Sequence, residues 1–234
     1  MSVTWDTGVT FTVEIAFGFA PLATPTWTDV SAFVNRVQLA RGKSTPLSRF
    51  EAGKGSITFD NQDGRFDPNN SSSPYDPDVI LTVPVRIQVV YNTVTYDLFR
   101  CVIDGWPVFY RARGKRSTVT VPIVDDFQTL AAQRLGTKTY TATDSKTRIG
   151  EVLDDIGWPS GRRDLNTALA GVASFDATTD TNALSHIQSV AAGEAGSLWM
   201  SGSGDVTFRN RVNFAGGISR TITFGAGGGE SEYV

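Results

Sequence analysis

The sequence has few of the residues that most often carry chemistry. Its 234 residues include one cysteine, Cys101, and one histidine, His186. A single cysteine excludes an internal disulfide, and its place in the apolar run 98–103 predicts a buried strand residue rather than a reactive thiol. A single histidine lacks the His or Cys partner that a zinc site needs. A helix-face histidine is therefore favoured over a catalytic triad with the neighbouring Ser185.

The chain also lacks a strong excess of one charge and any long apolar run. Lys and Arg number 21 against 24 Asp and Glu, a net charge of -3, which argues against binding nucleic acid over a broad surface. No apolar stretch approaches the roughly 20 residues of a membrane-spanning helix. Residues 1–11 lack the basic start and apolar core of a signal peptide. These absences predict synthesis in a cytoplasm and no membrane insertion by this chain.

What the first half does contain is period-two alternation of apolar and polar residues. The pattern runs through 9–17 and 83–91, and segments 96–106 and 119–123 are rich in β-branched and aromatic residues. Such patterns are typical of half-buried strands. They predict an antiparallel β-sandwich or barrel.

The second half changes to helical spacing. Apolar residues of 144–156 recur at helical intervals, with Gly157 placed to end the helix and Trp158 to pack back on it. A short helix after Asp125 and Asp126, a third helix at about 181–192 and a hairpin near 198–208 complete the pattern. The predicted class is α+β, mainly β. We expect a β domain at 1–136, a small α+β domain at 137–215 and a Gly-rich linker, or the start of a further segment, at 216–234.

The stretch DNQDGRFDPNN, residues 60–70, is the most conspicuous polar segment. An EF-hand loop needs Gly at position six and Glu at position twelve, but counted from Asp60 the Gly comes one place early and position twelve is Ser71. A structured turn is favoured, because Asp63-Gly64 suits a reversal and Asp and Asn side chains bond their own backbone. A less regular calcium site from Asp60, Asp63 and Asp67 is the alternative. We expect Phe66 to anchor the loop and 68–77 to run extended toward a neighbouring subunit.

A second polar feature is a basic cluster around Gly114. A solvated hairpin tip is the favoured interpretation, with a protein contact or a nucleic-acid patch as alternatives. The cluster comprises Arg111, Arg113, Lys115 and Arg116. Since no catalytic, metal or cofactor cluster emerges elsewhere, the sequence predicts a role in assembly or binding, with no enzymatic activity and no cofactor.

Several blocks together resemble the minor tail proteins of long-tailed bacteriophages that infect actinobacteria. The most specific block is 50–68, FEAGKGSITFDNQDGRFDP. Supporting blocks lie at 27–34, 41–42, 72–75, 83–87, 103–106, 193–200 and 204–211. The resemblance covers most of residues 9–211.

This resemblance implies a tail-tip, or baseplate, hub of tail-tube-like fold, located at the virion tail tip and assembled in the host cytoplasm. Such hubs form rings, usually trimers, with a hexamer as the alternative here. The implied partners are the distal tail protein, the tail tube, the tape measure and other tail-tip proteins, and DNA would pass through without specific binding. The residues assigned to an assembly or structural turn are Asp60, Asp63, Gly64, Phe66, Asp67 and Pro68.

Two other functions are alternatives to the hub. A receptor- or carbohydrate-binding module of the tail would use Trp106, Trp158 or Trp199 as stacking surfaces, although we expect these side chains in the core. A wall-degrading enzyme would need a carboxylate pair or a zinc cluster, and the sequence offers neither.

Overall fold

Eight strands of the first half form one antiparallel sheet. The computed structural model describes residues 4–5, 8–43, 49–108 and 117–212. The sheet order is β1-β2-β6-β7-β8-β5-β4, with β3 paired to β2. The strands are β1 (Thr4–Trp5), β2 (Val9–Ile15), β3 (Thr28–Asp29), β4 (Val34–Ala40), β5 (Lys54–Asp60), β6 (Pro84–Tyr91), β7 (Val94–Ile103) and β8 (Thr118–Asp125).

The sheet curls around a single apolar core. Val13 and Ile15 of β2 lie in the same buried cluster as Ile57 and Phe59 of β5, although these strands lie toward opposite ends of the sheet. The 3-10 turn Ser31–Phe33, between β3 and β4, bridges these ends, since the Ser31 hydroxyl accepts a 2.9 Å hydrogen bond from the Val13 N–H. The predicted antiparallel, mainly β first half is confirmed.

The second half is built from three helices and several short strands. The helices are α1 (Phe127–Ala132), α2 (Ser145–Asp155) and α3 (Ala183–Gly193), with a 3-10 turn at Ser160–Arg162. The strands are β9 (Lys138–Tyr140), β10 (Thr143–Asp144), β11 (Arg163–Leu165), β12 (Gly171–Val172), β13 (Phe175–Ala177), β14 (Ser197–Met200) and β15 (Val206–Arg209). Strand β15 pairs in parallel with β11 and antiparallel with β14.

Helix α2 begins and ends where the sequence predicted. The Asp144 carboxylate accepts the Thr147 N–H at 2.9 Å, and Gly157 has φ +69°, so the Trp158 N–H reaches the Leu153 carbonyl at 2.8 Å. Helix α3 is capped by Asn182, whose side chain accepts the Ser185 N–H at 2.9 Å.

The chain has two apolar cores that meet near residue 126. Phe127 and Leu130 of α1, and the following Leu135, pack into the second core. The division into domains at 136–137 stays a prediction, and this packing would place the division before Phe127. The Gly-rich segment 216–234 lies outside the described residues. In the part of the chain that the structure describes, no helix has the length and apolarity needed to cross a membrane.

Candidate functional site

Residues 61–78 form a succession of turns, here called the turn ladder. A backbone N–H donates to the carbonyl three residues earlier at 64, 67, 70, 73, 76 and 78, with N–O distances of 2.7–3.2 Å. Side chains support the turns: Asp60 accepts the Gln62 N–H, and Asp67 accepts the Asn69 N–H. The polar composition of DNQDGRFDPNN therefore supplies the acceptors that hold a turn-rich backbone.

The backbone of 68–77 is not extended, so that expectation is wrong. Asn70 accepts the Ser72 N–H, and the Ser73 hydroxyl accepts the Tyr75 N–H. These local bonds compete successfully with an extended chain. The segment packs on the curled sheet, since the Tyr75 ring stacks on Phe17 at 4.1 Å and on Phe66 at 5.6 Å.

The carboxylates of Asp63 and Asp67 have protein partners. Asp63 forms an ion pair with Arg65 at 2.5 Å, and this contact lowers the pKa of the Asp63 carboxyl. Asp67 is buried. Among the described residues, no three His, Cys, Asp or Glu side chains lie close enough together to hold a metal ion. The calcium alternative therefore finds no support in the geometry.

Phe66 fixes the turn ladder to the curled sheet. Its side chain is fully buried, with ring-centroid distances of 4.5 Å to Phe59, 5.6 Å to Tyr75 and 6.0 Å to Trp106. Its N–H donates to the Asn61 side chain at 2.9 Å. Gly64, with φ +72°, permits the reversal that brings Phe66 inward. An assembly role for this loop stays a prediction.

The chain leaves the turn ladder through two exposed apolar residues, here called the apolar ridge. Ile80 and Leu81 are 53% and 58% exposed. Thr82 follows with φ +62°, an unfavourable conformation for a β-branched residue. The Trp106 indole holds the segment in place by donating to the Ile80 carbonyl at 2.8 Å. Two adjacent exposed apolar side chains beside a strained residue make this segment a candidate contact surface.

A buried ion-pair cluster, here called the seam, joins the sheet to the second half. Arg162 pairs with the buried carboxylate of Asp126 and donates to the Gly204 carbonyl at 2.8 Å. It also donates to the Pro21 carbonyl at 3.0 Å. Arg100 of β7 lies 3.9 Å from the same carboxylate, and burial lowers its pKa. Separate regions of the chain therefore converge on Asp126.

Arg41 joins the same two halves at a second place. Its guanidinium donates to the Leu98 carbonyl of β7 at 2.6 Å and to the Met200 carbonyl of β14 at 2.8 Å. A side chain at Gly202 would overlap the Asp97 carbonyl, so glycine permits this close approach. Sequence reasoning missed both contacts, because residues 57 and 159 positions apart leave no spacing signal.

Asp125 lies beside the seam with a shifted pKa. Its carboxylate accepts the Gly53 N–H at 2.6 Å and the Phe127 N–H at 3.0 Å. Burial outweighs these bonds and raises its pKa to about 6. From the sequence, Asp125 was predicted only to precede the first helix, and its shifted pKa was not expected.

The remaining candidate residues have simpler positions. Cys101 is buried as predicted, and burial raises its pKa well above the usual value. Trp158 is buried and Trp199 packs on Phe50 at 5.3 Å, which favours packing over sugar stacking for these two. The basic cluster lies in 109–116, outside the described residues.

Two solved structures share this fold. The tail protein from Neisseria meningitidis MC58 matches with a TM-score of 0.56 and 9% identity over 86% of this chain and 51% of its own. The 43 kDa tail protein of prophage MuSo2 from Shewanella oneidensis matches with a TM-score of 0.52 and 10% identity over 84% of this chain and 53% of its own. The chain thus spans about half the length of these structures. No protein-family model and no curated protein matches the sequence.

The fold is therefore one found in tail proteins. At 9% and 10% identity the likeness concerns the fold alone.

Proposed function

We propose that the chain is a structural subunit of a bacteriophage tail tip. In this proposal it forms a ring-shaped hub, a trimer in preference to a hexamer, that connects the tail tube to the distal tip or fibres and lines the DNA exit channel. The observation that carries the proposal is the curled antiparallel sheet with its appended α+β half, which has the fold of two tail proteins. The sequence resemblance of 50–68 supports it independently.

Two surfaces suit contacts between subunits. Strand β4 pairs with β5 at the end of the sheet order and is largely exposed, and such an edge can pair with another chain. The apolar ridge supplies two large side chains that water would otherwise solvate unfavourably. A closed ring requires two complementary surfaces on each subunit.

Sedimentation velocity at rising concentration tests the ring. We expect the chain to associate into a discrete trimer, and the double variant Ile80→Ser/Leu81→Ser to weaken association by at least tenfold. Leu169→Ser is the matched control, since Leu169 is 50% exposed in a different region. If the wild type, the double variant and the Leu169→Ser control associate equally strongly, the apolar ridge is not part of the interface.

The particle itself gives the more direct test. Cryo-electron microscopy of purified virions should place the chain at the tail tip as a closed ring. Its absence from purified particles would refute the hub. The proposed partners in the particle are the distal tail protein, the tail tube, the tape measure and neighbouring tip proteins.

We further propose that the chain is not an enzyme. Asp126 and Arg162 of the seam, and Arg41 at the second contact, are engaged in joining the two halves. Hydrolysis of host peptidoglycan by the purified chain would overturn this. Binding to host cell-wall fragments that is lost on replacing Trp106 would instead favour the carbohydrate-binding alternative.

A further inference from the structure

A groove lies between helices α2 and α3, away from the turn ladder and the seam. Its volume is about 600 Å³, within the range of small-molecule sites. Segment 170–175 forms one wall and a continuous stripe of α3 forms another. The residues that matter for its chemistry are Ser145, Arg148, Phe175, Ser185, His186 and Ser189.

Arg148 is a fully buried cation with an unsatisfied donor. Its Nη2 donates to the Thr141 carbonyl at 2.5 Å and the Ala173 carbonyl at 3.3 Å, and its Nε lies 3.4 Å from the Glu151 carboxylate. Its Nη1 has no hydrogen-bond partner among the described residues. A buried guanidinium N–H without an acceptor is costly, so Nη1 of Arg148 is a candidate donor to a bound molecule.

His186 provides a second unsatisfied nitrogen in the same groove. Its ring stacks on Phe175 with centroids 4.2 Å apart, and its Nε2 is buried with no partner in the described part of the chain. Burial, and then the positive charge of Arg148, lower the pKa of His186. A negative charge bound nearby would offset both effects.

The Asp155 and Asp144 carboxylates and the Tyr140 phenol are already engaged. The buried Glu194 carboxylate, just beyond α3, accepts the Leu169 N–H at 2.9 Å through Oε1, and its Oε2 has no partner among the described residues. Asp155 accepts hydrogen bonds from Lys138 at 2.8 Å and from the Tyr140 hydroxyl at 2.5 Å, and Asp144 caps α2. One first-turn N–H of each helix is capped by a side chain, Thr147 by Asp144 in α2 and Ser185 by Asn182 in α3. The donors that a bound acceptor would satisfy are therefore Arg148 and His186, and the proposal does not use the helix dipoles.

We propose that this groove binds a carboxylate group that is attached to an apolar body. The carboxylate accepts hydrogen bonds from Nη1 of Arg148 and from a protonated Nε2 of His186, and the apolar body packs against Val172, Phe175 and Val190 on the walls. Shielding from water strengthens such charge-assisted bonds. The carboxylate belongs either to a free acid or to an acidic side chain of a polypeptide. The site does not depend on ring assembly.

Titration of His186 by NMR tests the site directly, because His186 is the only histidine in the chain. The probes are benzoate, for a free acid, and N-acetylglutamate amide, for a polypeptide side chain. The neutral controls are benzamide and N-acetylglutamine amide. At saturation, at least one carboxylate should raise the His186 pKa by about one unit, and the neutral controls should leave it unchanged. The probe that binds more tightly shows whether the natural carboxylate belongs to a free acid or to a polypeptide side chain.

A substitution adds a second readout. Arg148→Met should weaken binding of the effective carboxylate by at least tenfold, whereas Arg134→Met, at an exposed arginine outside the groove, should not. If Arg148→Met does not fold, the comparison of each acid with its amide in the wild-type chain decides. A His186 pKa that responds to neither acid, or equally to acids and amides, overturns the proposal.

Discussion

At the scale of single residues, two glycines respond oppositely to an added methyl group. Gly64 has φ +72°, and a Cβ there would lie 3.1 Å from the Asn70 side chain. Gly150 lies inside α2 with open space around it. We expect Gly64→Ala to lower the free energy of unfolding by about 1–2 kcal/mol and Gly150→Ala to raise it by about 1 kcal/mol.

Urea unfolding of both variants measures these changes in one experiment. Each protein acts as the control for the other, because the chemical change is the same. If both variants change the free energy of unfolding by the same amount in the same direction, the positive φ at Gly64 does not constrain which residue can stand there. Gly64→Val should be at least as destabilising as the alanine variant, since β-branched residues are poorly tolerated at positive φ.

Asp125 gives stability a pH dependence of its own. Its pKa is about 6 in the folded chain against an ordinary value of 3.8, so the folded state holds the proton more tightly. This contribution is present below about pH 4 and is lost as pH rises through 6. The loss is on the order of 3 kcal/mol.

The neutral variant Asp125→Asn isolates this contribution from other carboxyls. We expect the wild type to lose stability relative to the variant as pH rises from 4 to 7.5, measured by urea unfolding at each pH. A difference between the two proteins that stays constant across this range would contradict the raised pKa.

At the scale of elements, the turn ladder depends on one aromatic side chain. Phe66→Ser removes the ring that packs on Phe59, Tyr75 and Trp106. Truncating a buried phenylalanine costs about 3–5 kcal/mol, so we expect a large loss of stability and loss of assembly. Tyr91→Ser is the control, since Tyr91 is exposed on β6 and should change stability by about 0.5 kcal/mol or less. A Phe66→Ser protein of unchanged stability that still assembles would refute this anchoring.

Local signals predicted most elements because their causes lie within a few residues. Asp144 and Gly157 mark both ends of α2, and alternation marks β2 and β6. The turn ladder was misread beyond Pro68, because each of its turns depends on side-chain acceptors that also occur in irregular loops. Chain-local patterns therefore predict elements better than their connections.

No local sequence pattern predicted the seam or the α2–α3 groove. Arg162 and Asp126 are 36 positions apart in the sequence. The Nη1 of Arg148 is recognised as lacking a hydrogen-bond partner only from the three-dimensional structure. Packing between distant segments decides which charges are buried, and no spacing rule encodes it.

At the scale of the whole molecule, the two cores are coupled through Asp126 and Arg162. Each core has its own apolar cluster, while Arg162 reaches the Pro21 and Gly204 carbonyls as well as the Asp126 carboxylate. Arg162→Met leaves a buried carboxylate without its main partner. Such a loss costs about 3–5 kcal/mol.

We expect Arg162→Met to convert cooperative unfolding into two separate transitions, because the cores would lose the buried contact that links them. Tryptophan fluorescence and circular dichroism, followed together in urea, would then no longer coincide. The double variant Asp126→Leu/Arg162→Met should recover part of the lost stability, since it removes the unpaired buried charge while keeping the volume apolar. A single coincident transition in Arg162→Met, with stability near that of the wild type, would show that the halves are held by apolar packing and by Arg41 instead.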